Sequence, residues 1–313
     1  DCSSSKITVD NLLEMPTHRM VSSTDALLHR SLRAGDVNAV KELLDTGRTH
    51  VDCTDQDGVT PLMLAISRKD RPMVDALLDE GADVNANSEA NETALLIAIE
   101  NDSRVDVEAL IKYGANINYR TKDGGSALLC ASERGILWAI RLLIRSGADK
   151  DARLMDGSDS VFLAAQNGHV ECVKELLEEG CRVDWRREDG TTALWIAAQC
   201  GEVEIVEELG MRGAKDLPRC DGATALFKAA HKGHEDIVQA LLAIDSHLGL
   251  LENGESALHA AALFGHERIV EMLLGEGADP RLMNRNGETP VDLAQQMGYD
   301  RIVHILKKGR RFF

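Results

Sequence analysis

The sequence predicts an all-α solenoid of about nine stacked helix-turn-helix units with β-turn tips, and three observations carry that prediction. The segment Asp-Gly-x-Thr-Ala/Pro-Leu-x-x-Ala recurs with its last alanine at Ala65, Ala98, Ala131, Ala164, Ala197, Ala229, Ala261 and Ala294, in steps of 33, 33, 33, 33, 32, 32 and 33 residues. A glycine closes most of the short apolar segments that hold those alanines, and a second apolar stripe follows. Self-similarity at such a period marks a repeat array, in which no unit buries its apolar face alone and neighbours complete the core.

Residues 1–21 lack the pattern; Ile7, Val9, Leu12, Leu13 and Met15 are expected to cap the first unit, because a terminal repeat must be modified to meet water. A degenerate first repeat spans 22–53, with Ser31 in the alanine place and Gly35 in the turn place, and full repeats start near 57, 90, 123, 156, 189, 221, 253 and 286. The fifth copy shows the internal logic. Asp156-Gly157 is a turn dipeptide, and Val161, Phe162, Ala164 and Ala165 give a short helix its apolar side. Gly168 ends that helix, Val170, Cys172, Val173, Leu176 and Leu177 form the stripe of a second helix, and Gly180 closes it.

These copies resemble ankyrin repeats over about nine tenths of the chain, the family hallmark T-P-L-H-x-A being matched most nearly by Thr60-Pro61-Leu62-Met63-Leu64-Ala65 and Ser256-Ala257-Leu258-His259-Ala260-Ala261. The resemblance implies a noncatalytic intracellular scaffold or adaptor, placed in the cytoplasm, that binds protein partners in a concave groove. It also implies that Asn85 and Asn118, which stand where ankyrin asparagines accept β-hydroxylation, are modification sites.

The chain departs from the pattern in places. Lys69 and Asp102 replace the helix-ending glycine in copies two and three, where a left-handed residue with a Cβ costs roughly 1–2 kcal/mol. Gly210 stands in the buried stripe of copy six, and Asp245 replaces the closing glycine of copy seven, so a soft joint is expected between those copies.

The net charge of −17 argues against broad nucleic-acid binding, which needs basic surface. Glu171, Glu175, Glu178, Glu179, Glu202, Glu204, Glu207 and Glu208 are expected to place much of that charge on the outer wall. No apolar run approaches the ~18 residues of a membrane span. Because the chain begins at Asp1 rather than Met, a removed leader or a larger parent stays open. The seven cysteines show neither CxxC pairs nor metal spacing, and read as reduced thiols. Phosphate-loop, nucleophile-elbow and zinc-helix motifs are missing, so no enzyme, cofactor or metal is expected. His169, His234 and His266 each follow a turn glycine, which favours a backbone-bonding role over metal ligation.

What remains is surface. The free positions are the turn tips and first-helix ends, and tips at Arg120, Arg153 and Arg186 put arginine in one place in three successive copies, about 10 Å apart if the units stack at helix spacing. Lys122 and Arg187 extend this basic patch, and Tyr119 and Trp185 supply aromatic footing for cation–π contact. The competing expectation is that Asp123, Glu188 and Asp189 neutralise the arginines locally. Later copies turn apolar, with Leu250 and Met283 on tips and Leu263, Phe264 and Met297 at first-helix ends. These residues either form a partner site or are covered by the 247–251 connection. Trp138, where other copies carry glutamate, is expected on the outer wall.

The preferred ligand is thus a protein segment, acidic at one end with large apolar anchors at the other. Two alternatives remain: a sensor that takes an anionic small ligand or phospho-group on the arginines, or the repeat domain of a larger channel, kinase or ubiquitin-ligase-associated protein. The sequence leaves the oligomeric state open.

Overall fold

The computed structural model describes residues 23–47, 49–244 and 249–309, so the expected cap at 1–21, and Asp245, His247 and Leu248, lie outside the described residues. Those residues form eighteen helices and no strand beyond two isolated bridges, Asn87 with Thr93 and Leu250 with Ser256. The all-α helix-pair solenoid is therefore the fold. By contacts the chain divides into two compact units, Asp1–Ala131 with Arg141–Asp149, and Ser132–Ile140 with Lys150–Phe313.

The first unit contains α1 (Ser23–Ala34), α2 (Val37–Asp45), α3 (Pro61–Ser67), α4 (Arg71–Asp79), α5 (Ala94–Glu100) and α6 (Arg104–Lys112). Helices α7 (Ala127–Glu133) and α8 (Leu137–Arg145) carry residues of both units. The second unit continues with α9 (Ser160–Gln166), α10 (Val170–Glu178), α11 (Ala193–Cys200), α12 (Val203–Met211), α13 (Ala225–Lys232), α14 (Glu235–Ala243), α15 (Ala257–Phe264), α16 (Glu267–Gly275), α17 (Pro290–Gln296) and α18 (Asp300–Gly309). Within each unit a first helix packs on its own second helix and on the first helix of the next pair, as α11 does on α12 and α13.

The hallmark threonine has a clear physical task. Thr60, Thr93, Thr192, Thr224 and Thr289 are N-caps whose side chains accept the backbone N–H three residues on, and Asp159 and Ser256 do the same in their copies. Such caps satisfy an orphan donor of a seven- or eight-residue helix that could not persist alone. First helices such as α11 bury almost every side chain, whereas second helices bury one stripe, such as Cys172, Val173, Leu176 and Leu177 in α10. Full burial of a residue of that size stabilises by about 1.5–3 kcal/mol.

Successive turn tips are joined by backbone hydrogen bonds. Cys220 donates to the Asp189 carbonyl at 3.1 Å, Glu252 to Asp221 at 3.2 Å, and Arg285 to Asn253 at 2.8 Å. These bonds hold tip side chains of neighbouring copies in register, which is how the fold positions a surface.

Lys69 and Asp102 adopt φ of 56° and 53°, so the left-handed turn survives without its glycine. Lys69 Nζ donates to the Asn101 carbonyl at 3.1 Å, and Asn101 Nδ2 donates to the Ile66 carbonyl at 2.9 Å, stitching the two atypical turns together. At Gly201 the φ of 92° favours glycine, and the same holds at Gly233, where an added Cβ would also lie 2.5 Å from the His266 ring.

Two expectations need correction. Gly210 leaves no gap, because a Cβ there would meet Ile244 Cγ2 at 2.7 Å; the side chain closing α14 occupies the space the missing side chain vacates. Glu208 is buried rather than on the outer wall, and Arg212 Nε donates to its carboxylate at 2.8 Å. A buried carboxylate needs such a partner.

Candidate functional site

In the first unit, Arg120 is engaged by its own surroundings. Its Nη1 donates to the Gly124 carbonyl at 2.9 Å, and its Nη2 lies 3.6 Å from Asp149. The local neutraliser is therefore Asp149, not Asp123, whose carboxylate accepts from the Thr121 hydroxyl. Tyr119 is half-buried and Lys122 exposed. Asn85 and Asn118 are exposed but bonded on both sides of the amide. Asn85 donates to the Gly114 carbonyl at 3.1 Å and accepts from Asn116 N at 2.6 Å; Asn118 donates to the Gly147 carbonyl at 3.0 Å and accepts from Asp149 N at 2.8 Å.

In the second unit, the Arg153 guanidinium stacks 3.0 Å from the centre of the Trp185 ring, and Arg182 lies 5.6 Å from the same centre. Trp185 is held by its Nε1–H, which donates to the Gly157 carbonyl at 3.1 Å. The aromatic footing under the arginines is thus real at Trp185. Arg186 is exposed and donates to the Pro218 carbonyl at 2.5 Å. The depression around Arg182, Trp185 and Arg186 is shallow and open, so it does not enclose a small ligand.

The apolar group stands out in water. Leu250, Phe264, Met283 and Met297 are 48, 45, 65 and 52 % exposed, which decides against their being covered by the described part of the 247–251 connection. Leu263 is half-buried. Phe264 lies 4.4 Å, ring centre to centre, from His231, and His231 lies 6.4 Å from Phe227. Burial, then the charges of Lys228 and Lys232, push the His231 imidazole below its ordinary range, so near neutral pH it is an uncharged aromatic surface.

A pair of stacks escaped the sequence reading. Arg187 lies 5.0 Å from the Phe162 ring centre and its Nη2 donates to Asp156 at 2.6 Å; Arg219 lies 4.6 Å from the Trp195 ring centre and its Nη2 donates to Asp189 at 3.2 Å. Arg187 bonds to Asp156 and Asp189 bonds to Arg219, while the charge of Arg187 also bears on Asp189. Partial burial works against the charge of Asp189, yet hydrogen bonds from Thr191 and the nearby Arg219 and Arg187 hold its carboxyl below the usual range. The signal was present in the sequence: Phe162, Trp195 and Phe227 fill the hallmark histidine place, and arginine follows the first two by 25 and 24 residues.

Of the turn histidines expected to bond backbone, His169 and His266 do so. His169 Nε2 is 3.0 Å from the Glu133 carbonyl and His266 Nε2 is 3.3 Å from that of His231. His259 closes a capping box with Ser256 and reaches the Glu288 carbonyl at 3.2 Å. Trp138 is half-buried. Among the described residues no group of three or more His, Cys, Asp or Glu is arranged to hold a metal, and no helix is long and apolar enough to cross a membrane. The described cysteines form no disulfide, and burial pushes the Cys53 and Cys181 thiols up to about 12, which makes them poor nucleophiles.

A family model described as ankyrin repeats (3 copies) matches residues 3–88, 84–154, 161–249, 210–284 and 244–312. The ankyrin repeat, SAM and basic leucine zipper domain-containing protein 1 of Saimiri boliviensis boliviensis is 46 % identical over 63 residues, 20 % of this chain and 13 % of that protein. Its counterpart in Ateles geoffroyi matches equally, at 46 % over 63 residues and the same shares. The rat ankyrin repeat and SAM domain-containing protein 6 is 38 % identical over 58 residues, 18 % of this chain and 7 % of that protein. These matches therefore span under a sixth of either relative. Segments 120–129 and 253–261 also resemble ankyrin repeat domain-containing protein twenty-nine, a likeness these comparisons do not confirm.

Proposed function

The chain belongs to the ankyrin repeat family, and from that premise we propose that it is a noncatalytic scaffold or adaptor which binds a protein segment on its turn tips and first-helix ends. Ankyrin repeats generally mediate protein–protein contact, and the family is generally noncatalytic. The observation that carries the finer reading is the exposure of Leu250, Phe264, Met283 and Met297 in the unit that also bears Arg153 and Arg186. Large apolar side chains in water favour a partner that covers them, and guanidiniums on aromatic footing favour carboxylates. The preferred partner is a segment with acidic residues at one end and apolar anchors at the other. Tyr119, Arg120 and Lys122 offer a like basic surface on the first unit. A cytoplasmic setting is part of this proposal, supported by the described cysteines, which form no disulfide.

Affinity capture with the wild-type chain and with Arg153→Glu/Arg186→Glu/Phe264→Ala tests it. Partners retained by the former and lost by the latter, each confirmed with purified protein, are the expected result; identical partner sets contradict the reading. The sensor alternative separates in the same assay. Arg120→Glu/Arg153→Glu/Arg186→Glu abolishes binding of an anionic small ligand, whereas a segment anchored at Phe264 keeps part of its affinity.

Hydroxylation of Asn85 and Asn118 belongs to the same proposal and rests on the family resemblance. Each amide already bridges two loops, so a Cβ hydroxyl adds modest stability rather than a switch. Intact-mass measurement on protein from its native cells, with no oxygen added to either peptide, sinks it.

A further inference from the structure

Six buried side-chain nitrogen and oxygen atoms among the described residues find no hydrogen-bond partner, and three of them, Trp195 Nε1, Arg219 Nε and His231 Nδ1, belong to neighbouring copies of one unit. Trp195 is only 5 % exposed, yet its indole N–H donates to nothing. Buried donors are almost always satisfied, so an orphan signals a missing acceptor. The charges above it agree. Arg219 lies 4.6 Å and Lys228 5.5 Å from the centre of the Trp195 ring. Arg219 shares one nitrogen with a half-exposed Asp189, whereas no ion pair among the described residues holds Lys228. Burial, then the charges of Lys232 and Arg219, hold the Lys228 ammonium below its ordinary range, with Asp221 opposing weakly. Like charges crowded over unsatisfied donors, on a chain of net charge −17, make a local basic seat.

We infer that Trp195, Arg219 and Lys228 form a seat for a side-chain carboxylate of an acidic peptide segment, with the apolar residue that accompanies it resting on His231 and Phe264. The inference rests on the binding reading above and names the subsite and its ligand chemistry. The carboxylate accepts from the indole N–H and from Arg219 Nε–H and neutralises Lys228. It gains access when the Arg219 side chain, held by one ion pair, slides along the ring face. The aromatic pair at 4.4 Å lies on the next two first helices, His231 on α13 and Phe264 on α15, with the Phe264 ring exposed to receive an apolar group. Arg120, Arg153 and Arg186 are not part of this seat, since each already has a carbonyl, carboxylate or aromatic partner.

The test uses fluorescently labelled synthetic peptides that carry paired glutamates and a Leu-Phe pair at varied spacing. Control peptides have Gln for Glu, Ala for Leu-Phe, or phosphoserine for Glu. Trp195→Phe keeps the ring and removes the donor; Lys228→Gln removes the charge; Arg104→Gln on α6 is the neutral control, and thermal unfolding checks that each variant folds. The expected result is binding of the Glu/Leu-Phe peptides, weakened roughly ten- to hundredfold by either Trp195→Phe or Lys228→Gln and unchanged by Arg104→Gln. Equal binding by Trp195→Phe, Lys228→Gln and wild type overturns the seat, while a loss confined to Phe264→Ala leaves the wider groove reading standing. Equal binding of the Gln peptides overturns the carboxylate, and so does binding of the phosphoserine peptides alone. Failure of every peptide to bind overturns both the seat and the reading beneath it.

Discussion

Two neighbouring copies build the same device to different ends. In one, Arg187 lies over Phe162, Asp156 takes its Nη2 at 2.6 Å and the Asp156 carbonyl takes its Nε at 3.5 Å. In the next, Arg219 lies over Trp195, its bond to Asp189 is longer at 3.2 Å, and both Arg219 Nε and Trp195 Nε1 lack acceptors. The first stack is closed: a hydrocarbon ring needs no acceptor and the guanidinium has found its own. The second exchanges that ring for an indole, which adds a donor the array does not use, and sets Lys228 beside it. Nearly the same spacing within a repeat thus yields a structural latch in one copy and an open acceptor site in its neighbour.

The largest effects should show that both rings are core. Phe162→Ala and Trp195→Ala each lose about 3–5 kcal/mol in urea unfolding, because each leaves a cavity in a close-packed helix layer. A loss from only one would break the equivalence of the two copies. Next comes the cap beneath each ring. Phe162 follows a buried aspartate, Asp159, whose carboxyl is pushed up to about 6 by burial, whereas Trp195 follows the neutral Thr192. With the folded value above the unfolded one, Asp159 supports the fold when protonated, below about pH 4, and that support fades as pH rises to about 6. Asp159→Thr keeps the cap without the charge, so it should gain about 2 kcal/mol at neutral pH and little at acid pH. A gain that does not depend on pH contradicts this cause.

Smaller still, Arg187→Gln should cost up to about 1 kcal/mol and Arg219→Gln less, as exposed ion pairs contribute little and the second is the looser. The order is read by thermal unfolding, and its reversal removes the distinction between latch and seat. Smallest of all, Trp195→Phe should stay within about 1 kcal/mol of wild type, since it deletes an orphan donor rather than a bond. The opposite exchange, Phe162→Trp, should cost about 1–3 kcal/mol by overpacking a stack that is already complete.

Most of the fold was legible because period, caps and glycines repeat. The hallmark threonines were read only as a family mark and prove to be N-caps, whereas the turn histidines at 169 and 266 bond backbone as their place implied. What escaped lies between copies. Arginine partners were sought among acids close in sequence, but stacking sets a residue against one about a repeat away, so Arg120 meets Asp149 and Arg187 meets Asp156. Gly210 was read as part of a soft joint because its neighbour, Ile244, sits at the end of the next second helix, outside the 33-residue stripe. The exposed Phe264, Met283 and Met297 were legible as free positions of the repeat. Trp195 was not, since an aromatic residue in the histidine place reads as core, and only the unpaired indole nitrogen shows more.

The most direct test of the account is the side-chain indole resonance of Trp195, assigned by comparison with Trp195→Phe and followed by nitrogen–proton NMR as a Glu/Leu-Phe peptide is added. A carboxylate in the seat shifts that proton downfield and slows its exchange with water. A bound peptide that leaves the Trp195 resonance and its exchange rate untouched contradicts the account.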